Sequence, residues 1–281
     1  MADLTAIILT RNEEEYIAEC IESIKPVTKR IVVVDSFSDD KTVSIAQEVG
    51  AEVHQHEFYN YAKQYMYAVE VADVKTTWIL RIDADERLTE ESAAELEKLC
   101  NENENTDVSG IVLRFYNMFL GKPMMHGGMY PWRKLSVYKA GIGNIEDRNM
   151  DEHIILKSGT TIEAKKDSKH LAFRGLTFFT NKHNWYSTRE AMDYFEQKNV
   201  STENADFKTR LKMNVYYKLP LGFRSWLYYA YRYYIRLGFL DGKEGQIFAF
   251  LHAYWYRFLV DAKIYEHEKM GTEFKPTGAL K

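Results

Sequence analysis

The chain has 281 residues, 46% of them hydrophobic, and a net charge of −4. This length and composition suit one large domain, or a domain with an appendage, that buries a sizeable core. The overall charge gives no case for a nucleic-acid partner.

The two cysteines, Cys20 and Cys100, belong to no paired metal or redox spacing, which predicts reduced thiols in a cytoplasmic protein. The N-terminus lacks a basic stretch followed by a long apolar one, so we expect no signal peptide. No segment reaches the about 20 consecutive apolar residues of a membrane-spanning helix.

The first half of the chain alternates apolar runs with segments of helical spacing. The apolar runs predict strands at 4–10, 30–35, 51–55 and 77–83. The spacing predicts helices at 13–25, 41–49 and about 60–73. Apolar strands separated by helices are typical of a parallel sheet, and right-handed crossovers make it doubly wound. The sequence therefore predicts an α/β protein.

The second half is less regular. It predicts an acidic helix at 89–104, strands at 108–116 and 133–139, a strand pair within 154–164, and mainly helices from about 184. Residues 121–128 and 141–153 are expected to be loop or irregular structure. The helical part reads as a C-terminal appendage.

Two carboxylates follow the fourth predicted strand, at Asp83 and Asp85. If the strand continued through them, both would point the same way. Close carboxylates repel each other unless a cation or a shared proton neutralises them. In an open parallel sheet, ligands bind at the carboxyl ends of the strands. The pair therefore favours a divalent metal beside a phosphate-bearing substrate, with a simple acidic turn as the alternative.

Polar motifs stand at the ends of the other strands as well. They are Thr10-Arg11-Asn12-Glu13, the run DSFSDDKT at 35–42, and Asn60–Gln64 before the third helix. In this order and spacing, the segments AIILTRNEEEYIAECIESI, IVVVDSFSDDKT and LRIDADERL resemble family 2 glycosyltransferases with the GT-A fold. The later segments MDEHI and TNKHNWYSTREA are similar to the bacterial subgroup that builds capsule, O-antigen or exopolysaccharide.

The resemblance implies a GT-A architecture, with a mostly parallel, Rossmann-like central sheet flanked by helices. It implies a catalytic domain at 1–183, with a nucleotide-sugar half at about 1–105 and an acceptor half at about 106–183, and a helical extension at 184–281. The donor would be a nucleotide sugar, UDP-linked by resemblance, with Mn²⁺ or Mg²⁺ as the cofactor.

The resemblance also implies roles for individual residues. Thr10, Arg11 and Glu13 would line the nucleotide pocket, and Asp35 would contact the uracil or the ribose. Lys63 would hold the nucleotide, although an exposed helix lysine is an equal alternative. Asp83 would contact the ribose or support the metal, which Asp85 would bind. Further contacts to the donor or its phosphates are expected from Arg133 and Lys182.

An inverting transfer needs a carboxylate that takes the proton of the acceptor hydroxyl. Asp151-Glu152 occupies the place of this base, but the family commonly has Glu-Asp in that order, so the choice between the two residues stays open. A downstream histidine would complete the metal shell. His183 is the first expectation and His170 the second, with an ordinary hydrogen-bonded histidine as the alternative.

The helical tail is basic and aromatic. Residues 208–263 hold ten Lys or Arg against three acids, a net charge of +7 that leaves −11 for the remainder. Such a segment favours an anionic partner. Its helices could lie in a membrane surface at the inner face of the cytoplasmic membrane, near an acceptor on polyprenyl pyrophosphate or another glycan. They could equally pack on each other or form a homodimer.

Three other functions remain for comparison. A haloacid-dehalogenase-like phosphatase would use Asp83 as a nucleophile, but its Asp pair normally follows the first strand. A sugar nucleotidyltransferase would need a glycine-rich loop, which Thr10–Glu13 lacks. A non-catalytic membrane module would leave the carboxylates without a purpose.

Overall fold

The computed structural model describes residues 1–146, 153–199 and 219–271. The strands are β1 (Leu4–Thr10), β2 (Arg30–Asp35), β3 (Glu52–Gln55), β4 (Trp78–Arg81), β5 (Glu86–Arg87), β6 (Val108–Phe119), β7 (Lys122–Met124), β8 (Trp132–Lys139), β9 (Gly143–Ile145), β10 (Ile154–Leu156) and β11 (Thr160–His170). The helices are α1 (Ile17–Ile24), α2 (Thr42–Glu48), α3 (Tyr61–Ala72), α4 (Glu90–Asn103), α5 (Leu176–Asn199), α6 (Phe223–Ala230), α7 (Gly242–Ala249) and α8 (Tyr256–Met270).

The main sheet has the strand order β3-β2-β1-β4-β8-β6-β11-β5, with β7 paired to β6. The pairs among β3, β2, β1 and β4 are all parallel, as is the pair of β6 with β11. β8 runs antiparallel to both of its neighbours, β4 and β6. The predicted α/β class, with a mostly parallel central sheet and a helical C-terminal region, is confirmed.

The buried residues explain why these segments form. β1 and β2 are almost entirely buried, as expected of central parallel strands. α1 covers them with one apolar stripe, formed by Ile17, Cys20, Ile21 and Ile24. The last residues of the two strands, Thr10 and Asp35, lie side by side in the parallel register.

Several boundaries differ from the predicted ones. The expected loop at 121–128 contains β7, and the expected irregular segment contains β9, which pairs with β10. The last strand of the main sheet extends to His170 because it pairs along β6 as far as Asn117. Helical structure begins at Leu176 rather than at about 184.

The described chain forms two compact units. The first unit comprises Met1–Asn117 and Pro131–Ala172, and the second comprises Met118–Tyr130 and Phe173–Lys281. The boundary expected between 183 and 184 stays a prediction. Residues 118–130 belong with the helices because Phe119 and Met124 share one buried cluster with Phe179 and Phe248.

The second unit holds polar pairs inside an aromatic core. Arg224 donates from Nε to Asp261 at 2.6 Å, and both side chains are buried. His126 Nδ1 lies 2.6 Å from Asp241. Arg232, in a π-helical turn at Tyr231–Ile235, donates to the oxygen of Gly127 at 2.6 Å and to His252 Nδ1 at 3.0 Å. Within the described ranges, no helix is both long and apolar enough to cross a bilayer.

Candidate functional site

The carboxyl ends of β1 and β2 meet at the buried side chain of Asp35. Its Oδ1 accepts hydrogen bonds from the hydroxyls of Thr10, at 3.0 Å, and of Ser38. Its Oδ2 accepts from the backbone N–H of Ser38 at 2.8 Å and from Gln55 Nε2 at 3.2 Å. A carboxylate offers about four acceptor positions, and all four are used here. These four bonds show that Asp35 holds this loop together, and its expected contact with uracil or ribose stays a prediction.

The turns after β1 and β2 are tied to each other. The N–H of Asn12 donates to Ser38 Oγ, and the N–H of Asp39 donates to Asn12 Oδ1, both at 2.9 Å. The N–H of Glu13 donates to Thr42 Oγ1 at 2.7 Å. Asn12 and Phe37 have φ values of 55° and 54°, in the left-handed region that asparagine tolerates better than phenylalanine does. Phe37 is nevertheless exposed.

The two carboxylates after β4 lie in a turn and not in a continuing strand. β4 ends at Arg81, and the N–H of Glu86 donates to the oxygen of Asp83 at 2.9 Å. In return, Glu86 Oε2 accepts from the N–H of Asp83 at 2.9 Å. The expectation that a strand runs to residue 83 and aligns Asp83 with Asp85 by alternation is therefore wrong, because this turn replaces the extended backbone.

Lys134 on β8 supplies a cation to this turn. Its Nζ lies 2.7 Å from Asp83 Oδ2 and 2.8 Å and 3.0 Å from the two oxygens of Glu86. The Glu86 side chain is fully buried, and that of Lys134 is 13% exposed. The antiparallel pairing of β8 with β4 and β6 brings this lysine beside residues about fifty positions earlier in the chain.

Burial and the neighbouring charges shift the pKa values of Asp83, Glu86 and Lys134. Burial raises the pKa of Asp83, but the positive charges of Lys134 and Arg81 outweigh burial and hold that pKa below its ordinary value. Burial raises the pKa of Glu86 against the opposing effect of Lys134. Burial lowers the pKa of Lys134, but the two carboxylates outweigh it and raise that pKa. Asp83 and Lys134 thus form the persistent ion pair, and Glu86 is the acid more easily protonated.

Asp85 lies next to His170, the last residue of β11. His170 Nε2 is 3.6 Å from Asp85 Oδ2, and the backbone N–H of Leu171 donates to the oxygen of Asp85 at 2.7 Å. His170 Nδ1 lies 2.7 Å from Asn117 Oδ1. Because that amide oxygen can only accept, Nδ1 is the donor of this hydrogen bond. A metal-binding histidine usually makes such a bond from its other nitrogen.

Three other predicted site residues, Arg133, Lys63 and Arg11, also belong to the first unit. Arg133 points to the opposite face of β8 from Lys134 and donates to Glu163 at 2.8 Å. Lys63 has its Nζ 3.8 Å from the ring centroid of Tyr59. Arg11 is exposed at the turn after β1.

The predicted residues of the second unit lie on α5. His183 Nδ1 is 2.8 Å from the oxygen of Phe179, on whose ring it also stacks. Lys182 Nζ is 5.9 Å from the ring centroids of Phe178 and Tyr186. Both side chains therefore contact aromatic rings of the second unit. Asp151 and Glu152 lie outside the described residues.

The sequence reasoning missed Lys134, Glu86 and Asn117, and it ranked His170 second. Lys134 could have been considered from the sequence, because it follows Arg133 on a predicted strand and adjacent strand residues point to opposite faces. No cluster of three or more His, Cys, Asp or Glu side chains within 1–146, 153–199 and 219–271 is arranged to hold a metal ion. Asp85 and His170 form a pair, so a metal here would need further ligands from a substrate.

The sequence profile of glycosyl transferase family 2 matches residues 5–154. An uncharacterized glycosyltransferase of Rickettsia felis is 27% identical over 95% of this chain and 90% of its own length. The lipopolysaccharide core biosynthesis glycosyltransferase LpsC of Rhizobium meliloti is 28% identical over 95% of this chain and 93% of its own.

Among solved structures, glucosyl-3-phosphoglycerate synthase from Mycobacterium tuberculosis, in complex with Mn²⁺, uridine diphosphate and glucosyl-3-phosphoglycerate, matches with a TM-score of 0.34 and 18% identity. That match covers 42% of this chain and 44% of the synthase, less than half of either. The profile match, by contrast, takes in more than half of the chain, from β1 through Asp83, Asp85 and Lys134 to the start of β10. On that match, the chain belongs to glycosyl transferase family 2.

Proposed function

We propose that this protein is an inverting, metal-dependent glycosyltransferase that moves a sugar from a UDP-linked donor to a hydroxyl of a glycan acceptor. Membership of the family supports the reaction class. The observation that carries the proposal is the Asp85–His170 pair, in which a carboxylate oxygen and an imidazole nitrogen lie 3.6 Å apart.

This donor set suits the metal. Imidazole nitrogen and carboxylate oxygen are ligands that suit Mn²⁺. Asp85 and His170 would hold the ion, and the donor diphosphate would complete its shell. Bound there, the ion would neutralise the charge that develops on the diphosphate as it leaves. In this proposal, Asn117 orients the ring of His170 through its hydrogen bond to Nδ1, and Asp83 would contact the ribose.

The proton acceptor in this proposal is Asp151 or Glu152, on the strength of the family resemblance. Asp151→Asn and Glu152→Gln should each leave UDP binding intact, because neither residue is expected to touch the nucleotide. Only one of the two should stop sugar transfer. If both variants keep wild-type turnover, the base is another residue.

The acceptor class rests on the relatives. The Rhizobium protein is named for lipopolysaccharide core biosynthesis, which favours a glycan that grows on a lipid, on polyprenyl pyrophosphate or another carrier. Such an acceptor would place the enzyme at the inner face of the cytoplasmic membrane. The sugar itself is best identified by a thermal-shift screen of UDP-, GDP- and dTDP-sugars with Mn²⁺.

An apolar surface on the second unit supports that location. Trp226 is 54% exposed and Ile235 is 71% exposed, and Tyr234 and Leu240 are exposed beside them in sequence. The exposed charges between 219 and 243 are both positive, Arg236 and Lys243, since the remaining charged side chains in that range are buried. Aromatic and apolar side chains with exposed cations are typical of a protein face that rests on an anionic lipid surface.

Two assays test this proposal. Calorimetry should show UDP binding that requires Mn²⁺, and Asp85→Ala or His170→Ala should weaken it at least tenfold. His183→Ala is the matched control and should leave it unchanged. Absence of metal-dependent UDP binding by the wild-type protein would refute the donor assignment.

Co-sedimentation with phosphatidylglycerol vesicles tests the surface. Trp226→Ser/Ile235→Ser should reduce the bound fraction severalfold. Tyr265→Ser, which removes another exposed aromatic ring from the same unit, should not. A concentration-dependent dimer that the double variant abolishes, without vesicle binding by the wild type, would assign the surface to a homodimer instead.

A further inference from the structure

Lys134 gives the site a permanent cation of its own. Its ammonium group has three N–H donors, and it has three acceptors at 2.7, 2.8 and 3.0 Å, one on Asp83 and two on Glu86. Glu86 also accepts from the backbone N–H of Asp83. The lysine and the glutamate therefore hold both the side chain and the backbone of Asp83 in place.

This arrangement separates the two aspartates. Asp83 Oδ2 is occupied by the ammonium group, and a divalent ion on the same oxygen would meet a fixed positive charge at short range. Asp85 instead lies 3.6 Å from His170 Nε2. Lys134 thus relieves the repulsion at Asp83, whereas the proposed function gives Asp85 to the metal.

Trp132 lies close to both Lys134 and His170. Its ring lies 5.8 Å from Lys134 Nζ and 4.9 Å, between centroids, from the ring of His170. Trp132 and Lys134 lie two residues apart on β8, so both side chains are on the same face of the strand.

We propose that Lys134 is a positioning residue that reserves Asp83 for the nucleotide, so that Asp85 alone of the two aspartates takes the divalent cation, together with His170. This inference rests on the proposed function. Oδ1 of Asp83 has no protein partner among the described residues and is the oxygen left to accept from ribose hydroxyls. Lys134 itself takes no part in bond making or breaking.

The test is a titration with Mn²⁺ alone, read by the electron paramagnetic resonance of the free ion, followed by UDP. In Lys134→Met, Asp83 becomes available beside Asp85. The variant should bind Mn²⁺ without nucleotide at least tenfold more tightly than wild type, and its affinity for UDP at saturating Mn²⁺ should fall at least tenfold. Lys134→Arg keeps the charge and should restore both values to within about threefold.

Lys134→Met leaves Glu86 buried without its cation, so Lys134→Met/Glu86→Gln provides a charge-compensated version that should also bind Mn²⁺ more tightly. Wild-type Mn²⁺ affinity in a folded variant of either kind would overturn the inference. Loss of folding in both would overturn it too, because Lys134 would then be structural. Failure of the proposed function looks different, since the wild-type protein would then show no Mn²⁺-dependent UDP binding.

Discussion

Replacing Asp35 tests whether this residue shapes the loop or contacts the nucleotide. Asp35→Ala removes four hydrogen bonds at once, those from Thr10, Gln55 and two groups of Ser38. Hydrogen bonds to a charged group contribute roughly 1.5–3 kcal/mol each, and water can replace some of them at the loop surface. We expect the free energy of unfolding to fall by about 4 kcal/mol.

Asp35→Asn should cost much less, for a reason visible in the geometry. The amide can direct its NH₂ group toward the hydroxyls of Thr10 and Ser38, which are able to accept. Its oxygen then faces the N–H of Ser38 and the amide of Gln55. All four bonds survive and only the charge is lost, so we expect a decrease of about 1 kcal/mol.

Urea unfolding followed by circular dichroism measures these changes, with calorimetry of UDP binding on the same samples. Asp39→Ala is the matched control: its side chain is exposed in the same loop, and its loss should cost at most about 0.5 kcal/mol. If Asp35→Ala unfolds within 1 kcal/mol of wild type, on the order of one hydrogen bond, yet no longer binds UDP, the loop-shaping role is refuted and direct contact is favoured.

Three further predictions concern stability. Phe37→Gly should raise the free energy of unfolding by about 0.5–1 kcal/mol in urea, because glycine tolerates the φ of 54°; a lower value would show that the ring makes a stabilising contact. Burial and the charge of Arg232 lower the pKa of His252 well below 6.5, so the unfolded chain takes up the proton first. The free energy of unfolding should therefore fall below pH 6.5 by up to about 1.4 kcal/mol per pH unit. His252→Asn should reduce this pH dependence in thermal melts recorded at several pH values. An unchanged pH dependence would show that other groups cause it. Asp261→Asn removes the charge that faces buried Arg224 and should lower the free energy of unfolding by about 3 kcal/mol, whereas Glu266→Gln on the same helix should have little effect.

The sequence predicted those features that depend on short stretches of chain. The buried runs of β1 and β2 and the amphipathic stripe of α1 can be read locally, and so could the concentration of polar groups at the strand ends. Alternation failed at Asp83 and Asp85, because a hydrogen-bonded turn at Glu86 ended the strand two residues earlier than expected.

The sequence could not predict contacts between residues that are far apart along the chain. Lys134 meets Asp83 only through the pairing of β8 with β4, and His170 meets Asp85 only because β11 extends along β6. Nothing in the composition of either segment specifies that pairing. Arg133 was expected at the donor and its neighbour Lys134 was not, because the face of the strand was unknown.

The two units are interleaved along the chain, which restricts how the protein can be divided or recombined. Residues 118–130 are made before β8 and β11 of the first unit, yet Phe119 and Met124 pack among helices that are made only after residue 173. A fragment that stops at 172 would carry these apolar side chains uncovered, and one that starts at 173 would lack part of its core. Exchange of the helical part with that of a relative therefore needs three chain junctions rather than one, with residues 118–130 transplanted as well.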